Sequence, residues 1–495
     1  MRIVNSNRFT FIAWTLAVLS YFLLVLPQRY IPIWGDDFLL LRASNTFQGY
    51  GSDISLAPFQ TGMTKYRPLF LVPFTVMHSL FGDQLNYYLL VNTALTLFLG
   101  FAFGLLLRET TRLTRIAIPV GIISISSMRF LWFSREWIFG SMEILWLGTS
   151  LLSLVFFLRL SRKRHLNGRE NFWANLFLIA SILTHERAIA VGVAVSIFLA
   201  ILNRRRIIEF TLFQILMPFL IVLFIFVFKI YILLVNPIQG SLTDYAESRS
   251  QSILTNLSVT IPSGIIKILG LSTYSDSSLI LLAIRSALAL LVALLILIFL
   301  NKLLTQFFAK RNDSDIGEIP STNQYESASL LVLLVGSLSF GTIILEPLVQ
   351  ERFLVLPQLM FWILIINSGS IFSRRANKDK ISLVIAAVLV IIELSYLPVK
   401  ANYYPTQSRL TSAFVGLDSN LNGTEPWILD LQVDPQLQAE LNWALGYPRP
   451  GFSGIFSTAN NPPVMPFPGE RNANLKCVQA EFMDDELTVK ISPCS

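Results

Sequence analysis

The sequence predicts an all-α polytopic membrane bundle of about eleven transmembrane helices, followed by a small α/β extracytoplasmic domain at the C-terminal end. Two observations predict it. Of the 495 residues 53% are hydrophobic and 14% charged, and the mean hydropathy is +0.59, which is more apolar surface than water can cover. The apolar residues also gather into runs of membrane-crossing length, separated by polar segments that are alternately rich and poor in lysine and arginine.

A spanning helix needs roughly 20 mostly apolar residues, because at about 1.5 Å per residue it crosses about 30 Å of hydrocarbon. Stretches of this kind lie near 10–27, 86–107, 116–132, 141–158, 172–186, 188–202, 210–235, 278–300, 328–345, 353–371 and 381–398. The first follows Arg2 and Arg8 like a signal sequence, but no small-residue cleavage site comes after it, so it is read as an uncleaved first helix.

Orientation follows from the basic residues, since short basic loops stay on the cytoplasmic side. With the N-terminus inside, the inner loops carry Arg108, Arg112 and Arg115; Arg159, Arg162, Lys163, Arg164 and Arg169; Arg204 to Arg206; Lys302, Lys310 and Arg311; and Arg374, Arg375, Lys378 and Lys380. The short outer loops hold roughly half as many. The prediction is therefore a multi-pass protein of the plasma (inner) membrane, N-terminus cytoplasmic, with a transmembrane domain over 1–398 and an extracytoplasmic domain over 399–495. In that polar, turn-rich tail, Trp427 to Leu431, Cys477 to Met483 and Glu486 to Ile491 read as strands, and Pro435 to Leu445 as a helix. Cys477 and Cys494, the two cysteines, can close a small loop in an oxidising compartment. They sit far from any CxxC or histidine cluster, and the chain has three histidines in all, so histidine-rich metal chemistry is excluded. The net charge of +7 and pI near 9.3 belong to cytoplasmic loops, and no nucleic-acid partner is expected.

The first outer loop, 28–86, opens with Asp36 and Asp37 just past the first helix, either a solvated helix-end turn or a functional acid pair. Lys65 and Arg67 follow, leading an apolar stretch from Pro68 to Phe81 that is short for a span and reads as a juxtamembrane helix. Its alternative, an eroded span, would invert every later loop and put the arginine clusters outside. The second outer loop carries Arg129, Arg135 and Glu136, with Glu143 just inside the next helix. Glu136 is either a local ion pair with Arg135 or a site residue. His185, Glu186 and Arg187 form a third outer turn that interrupts apolar sequence, to set topology or to serve a site. Arg352, beside Glu351 at a fourth edge, either snorkels to headgroups or grips a phosphate through its planar fork. Charges at membrane depth are expensive and face a wet cavity or a partner, so acids and bases on four outer segments at similar depth are the main functional signal.

Such a set suits a lipid-linked phosphate. Cleaving a sugar from a polyprenyl phosphate leaves an anion that needs cations, from Lys65, Arg67, Arg187 and Arg352 or from a bound divalent metal. The acceptor hydroxyl must lose a proton, a base role that Asp36 and Asp37 fit. The N-in first helix, the acid pair, Tyr66-Arg67-Pro68-Leu69 and Tyr87 to Asn92 (YYLLVN) together resemble the GT-C superfamily of polyprenyl-phosphate-sugar glycosyltransferases. Within it, the protein O-mannosyltransferase and aminoarabinose-transferase-like group is the nearest likeness, over roughly the first 200 residues, including the Thr184-to-Arg187 turn. The resemblance implies inverting transfer of a sugar from an undecaprenyl- or dolichyl-phosphate donor to a glycan, lipid or protein acceptor at the outer face. It carries the base onto Asp36 or Asp37, and an acceptor or metal contact onto Glu136. The second loop has no acid-x-acid motif, which leaves the metal open. Competing readings are a lipid-linked glycan polymerase or ligase, a transporter or flippase of lipid-linked saccharides, for which Lys229 and Arg285 near span interiors speak, and a non-catalytic scaffold.

Overall fold

The computed structural model describes residues 7–25, 67–81, 85–111, 113–128, 139–163, 167–205, 207–235, 321–342, 351–368 and 378–394, isolated positions between 264 and 305, and the strand residues 427–433, 452–453, 476–483 and 486–493. Its α-helices are α1 (Asn7–Leu24), α2 (Pro68–Phe81), α3 (Leu85–Thr110), α4 (Ala117–Ser127), α5 (Phe139–Ser161), α6 (Gly168–Thr184), α7 (Ile189–Arg204), α8 (Leu212–Val235), α9 (Ser321–Thr342), α10 (Val355–Ser368) and α11 (Lys378–Leu394). Short 3-10 turns at Glu186–Ala188 and Glu351–Leu354 open α7 and α10.

Five helical segments among the described residues are long and apolar enough to cross a membrane: Asn7–Leu24, Tyr87–Thr110, Gly140–Ser161, Glu186–Arg204 and Leu212–Tyr231. The protein is therefore a multi-pass membrane protein. Its outward faces agree. α1 turns Phe11, Leu16 and Leu23 away from the protein, and α8 does the same with Phe213, Phe224 and Val227, surfaces suited to lipid tails. The stretch expected to span near 116–132 is helical over the 11 residues of α4, and the one expected near 278–300 lies outside the described residues.

α3, α5, α6, α7, α9 and α10 surround the core, with Phe103, Leu106, Leu151, Val195, Phe198 and Ile363 fully or almost fully buried. Lipid tails are as apolar as leucine, so helices in a membrane associate through close backbone approach and polar bridges. Both occur here. Gly100, Gly104 and Gly121 bring α3 against α4: a Cβ on Gly104 would stand 2.5 Å from Ile118 Cα. Between α5 and α6 the Ser181 hydroxyl donates to the Trp146 carbonyl at 2.9 Å, and Ser153 donates to the Ala174 carbonyl at 2.9 Å. At the far end of α3, Arg159 of α5 and Arg162 just past its end both clamp the Glu109 carboxylate, Arg159 through Nε at 2.9 Å. Asn367 of α10 donates to the Thr110 carbonyl and to Ser329 Oγ of α9, at 3.1 and 3.0 Å.

The tail contains a four-stranded sheet of order β2-β1-β3-β4, with β1 (Trp427–Val433), β2 (Phe452–Ser453), β3 (Lys476–Met483) and β4 (Glu486–Pro493). β1 runs antiparallel to β2 and parallel to β3, with Trp427 opposite Lys476. β3 and β4 form an antiparallel hairpin in which Cys477 stands opposite Ser492. Cys494 and the helix expected over Pro435 to Leu445 lie outside the described residues.

Candidate functional site

Local chain chemistry sets the site at the C-terminal end of α6. His185 leaves the helix with φ −153° and ψ 132°, and this extended residue ends the helical run. Its backbone N–H donates to the Ser181 carbonyl and its Nδ1 accepts the Arg187 backbone N–H at 3.2 Å, so one residue closes α6 and caps the 3-10 turn that follows. The turn swings Glu186 and Arg187 back over the helix ends. α2 meets them from the other side. Pro68 opens α2 at a position where its missing N–H is not needed, and this leaves Arg67 at the helix mouth. Buried Phe70 and Phe74 seat α2, with Phe74 against Tyr88 of α3 at 6.4 Å between ring centres.

Arg67 then reaches across 119 residues of sequence to grip Glu186 with two parallel hydrogen bonds: Nε donates to Oε2 at 3.0 Å and NH2 to Oε1 at 2.7 Å. This bidentate fork is the strongest form of the arginine–carboxylate pair. Behind it, Arg67 NH1 meets Met142 Sδ at 3.1 Å, and NH2 passes 3.3 Å from His185 Nε2. Because Nδ1 of the neutral ring accepts the backbone N–H, the ring proton sits on Nε2, which faces Glu143 Oε1 at 3.6 Å. The Arg67 contact to that nitrogen is thus two donors side by side, each drawn to its own carboxylate.

Glu143, on α5, is 1% exposed and lies at the centre. Its Oε2 accepts from the Trp146 indole N–H one turn on, and its Oε1 lies 3.7 Å from Arg187 NH1. The Arg187 guanidinium in turn lies over the Phe353 ring, in the 3-10 turn before α10, at 3.1 Å from the centroid. Lys229 of α8 joins the same region by donating to the Ile182 carbonyl, in the last turn of α6, at 3.1 Å. Burial holds the His185 imidazole neutral, and the Arg67 guanidinium adds to the effect; its pKa is pushed down to about 3.

Of the residues singled out in the sequence, Arg67, His185, Glu186 and Arg187 come together in one buried cluster with Glu143. Arg352 has its backbone in the turn that supplies Phe353, and Asp36, Asp37, Lys65 and Glu136 lie outside the described residues. Met142 and Trp146 carry no signal in the sequence, because apolar side chains beside a charged site look like any other core residue, and Phe353 stands out there only as the neighbour of Arg352. Each acid of the cluster also faces a guanidinium, and no trio of histidine and acidic side chains among the described residues has metal-ligand geometry. Chemically, the cluster offers two cationic planar forks, each held by a carboxylate, in a region from which water is largely excluded. Compared with known protein families and with curated proteins, the chain matches none.

Proposed function

We propose that this chain is a membrane glycosyltransferase of the GT-C type, which moves a sugar from a polyprenyl-phosphate donor to an acceptor at the extracytoplasmic face. One observation carries the reading: the buried Arg67 fork, fed by three segments distant in sequence, already holds an anionic oxygen pair in the geometry that a phosphate needs.

In the reaction, the acceptor oxygen attacks the anomeric carbon from the face opposite the phosphate, and the configuration inverts. The carbon–oxygen bond to the phosphate breaks, its electron pair stays on the phosphate oxygen, and the acceptor proton passes to Asp36 or Asp37. Lys65, Arg67, Arg187 and Arg352 are the cations that meet the phosphate, and Glu136 is the acceptor contact. Glu186 holds Arg67 and Glu143 faces Arg187, while His185, kept neutral, adds no competing cation. The polyprenyl chain of the donor would lie in the membrane, which fits the apolar outer faces of the bundle.

The same reading takes the eleven-span count, the plasma (inner) membrane location, the cytoplasmic N-terminus and an extracytoplasmic α/β domain over 399–495. The alternation of basic loops supports the orientation, and the four-strand pairing supports the domain. The test is turnover of a polyprenyl-phosphate sugar by purified full-length protein carrying Asp36→Asn and Asp37→Asn together. Transfer should be abolished while insertion and thermal stability persist; turnover at the normal rate removes the base role from both aspartates.

A further inference from the structure

We propose that Lys229 is a positioning residue of the cluster: by capping the C-terminal end of α6 it fixes where that helix stops, and so holds Glu186 where Arg67 grips it.

Lys229 turns away from the cheapest place for its amine. It lies close to the end of the span-length segment Leu212–Tyr231, from which a lysine stem can snorkel out to the headgroups. Its neighbours Phe228 and Ile230 face outward, yet Lys229 is 8% exposed and continues the buried stripe of Ile215, Val222 and Ile225 that α8 lays against the bundle. An ionisable side chain turned into a membrane bundle is costly, and a specific partner is what keeps it there. Here the Ile182 carbonyl accepts from Nζ at 3.1 Å.

That carbonyl is the one at which α6 ends. In a continuing helix each carbonyl accepts the N–H four residues on. The Ser181 carbonyl still does so, from His185 at 2.8 Å. The next one, Ile182, would take the Glu186 N–H, and there Lys229 stands instead. A lysine at this place also meets the negative end of the helix dipole, a known form of C-terminal cap. Take Nζ away, and the buried carbonyl draws on the Glu186 N–H by one more residue of helix. Glu186 would then ride on the α6 surface rather than swing over the helix end toward Arg67.

α8 is held firmly enough to serve as a brace. Pro218 interrupts its hydrogen-bond ladder, and the next residue, Phe219, donates its backbone N–H to Ser196 Oγ of α7 at 2.9 Å. A Cβ on Gly192 of α7 would stand 2.4 Å from Val222 Cγ2, so the two helices touch closely there. About 15 Å farther along α8, at the helical rise per residue, Lys229 reaches α6. One helix thus pins both α6 and α7, between which the Glu186–Ala188 turn is strung.

The experiment measures thermal unfolding of the purified full-length protein in nanodiscs. Glu186→Gln and Arg67→Met are each introduced into the wild type and into Lys229→Met, which puts an apolar chain of similar length in place of the amine. Each should lower the wild-type melting temperature. Each loss should be at least halved in the Lys229→Met background, because the pair that it breaks is no longer formed there. The loss caused by Glu109→Gln, at the Arg159 clamp far from Lys229, should be the same in both backgrounds.

The two cycles together separate position from charge. A positive charge on Lys229 acting through space favours the glutamate and disfavours the arginine, so its removal would shrink the Glu186→Gln loss and enlarge the Arg67→Met loss. That opposite pair of changes overturns the proposal, as does either loss staying at its wild-type size. A Glu109→Gln loss that is halved as well marks a general loosening and overturns it too. The same holds for a wild type that neither Glu186→Gln nor Arg67→Met destabilises, and for a Lys229→Met protein that does not fold, since Lys229 would then serve the whole bundle rather than the cluster. Sugar transfer does not enter these melts, so the transferase reading fails or stands by its own test and this inference by the melts.

Discussion

The Arg187 guanidinium stacks on the Phe353 ring while its NH1 points to Glu143, so α5, the His185 turn and the segment before α10 meet at one cation. A desolvated cation over an aromatic face contributes about 2 kcal/mol. Phe353→Leu keeps most of the apolar volume and removes the π face; thermal unfolding of the purified protein should register a loss of about 1–2 kcal/mol. Phe353→Trp should recover it, since indole is the better cation partner. A Leu variant as stable as the wild type would show that the stacking contributes nothing.

Glu143 and Arg187 should be coupled. Removing one member of a buried charge pair leaves the other uncompensated, at a cost of about 3–5 kcal/mol. Glu143→Gln and Arg187→Met should each lower stability strongly, whereas the double variant should be less damaged than the sum of the two. Denaturation of all four proteins closes the cycle. Simple additivity would mean that the 3.7 Å approach carries no energy.

His185 gives the fold a directional response to pH. Its folded pKa, near 3, lies below the unfolded value of about 6.5, so between these two values the unfolded chain binds a proton that the folded protein does not. Stability is unaffected by this group above about 6.5 and falls as the pH drops toward 3. Replacement by Gln removes the titration, so the stability difference between wild type and His185→Gln should shift against the wild type on acidification. The comparison is made by thermal melts from pH 7.5 to pH 4.5; parallel curves would contradict a buried neutral imidazole.

Helix contact at the glycines should be intolerant of any side chain. A Cβ on Gly121 would stand 2.5 Å from Gly104 Cα, backbone against backbone, so no rotamer change relieves it. Gly121→Ala and Gly104→Ala should both reduce the yield of monodisperse protein and lower its melting temperature. Gly341→Ala is the control: no atom lies within 4 Å of its added methyl, and alanine in a helix is favoured by about 0.5–1 kcal/mol. Equal behaviour of the three variants would mean that α3 and α4 are not in contact there.

Hydropathy is a local property, and the helical stretches were legible for that reason. α2 runs from Pro68 to Phe81, the bounds expected from its apolar length, and the five span-length helices fall on stretches read from the chain alone. The strand readings in the tail likewise follow local alternation, and β1, β3 and β4 cover those segments. At the site, Arg67, His185, Glu186 and Arg187 were conspicuous because ionisable groups are rare in such apolar surroundings.

What joins to what was not legible. Nothing near Arg67 in the sequence specifies Glu186 as its partner, and nothing near Glu143 marks it as the centre of the cluster rather than one more charge at a helix end. Those pairings depend on how far α2, α5 and α6 slide and rotate against one another, which serine bridges and backbone contacts spread over the whole bundle decide. By itself the sequence determined which segments leave water and which residues are too costly to leave unpaired there, since both follow from transfer free energies of single side chains. Only the tertiary structure decided which carboxylate each arginine holds, because that choice is made by packing between helices far apart in the chain.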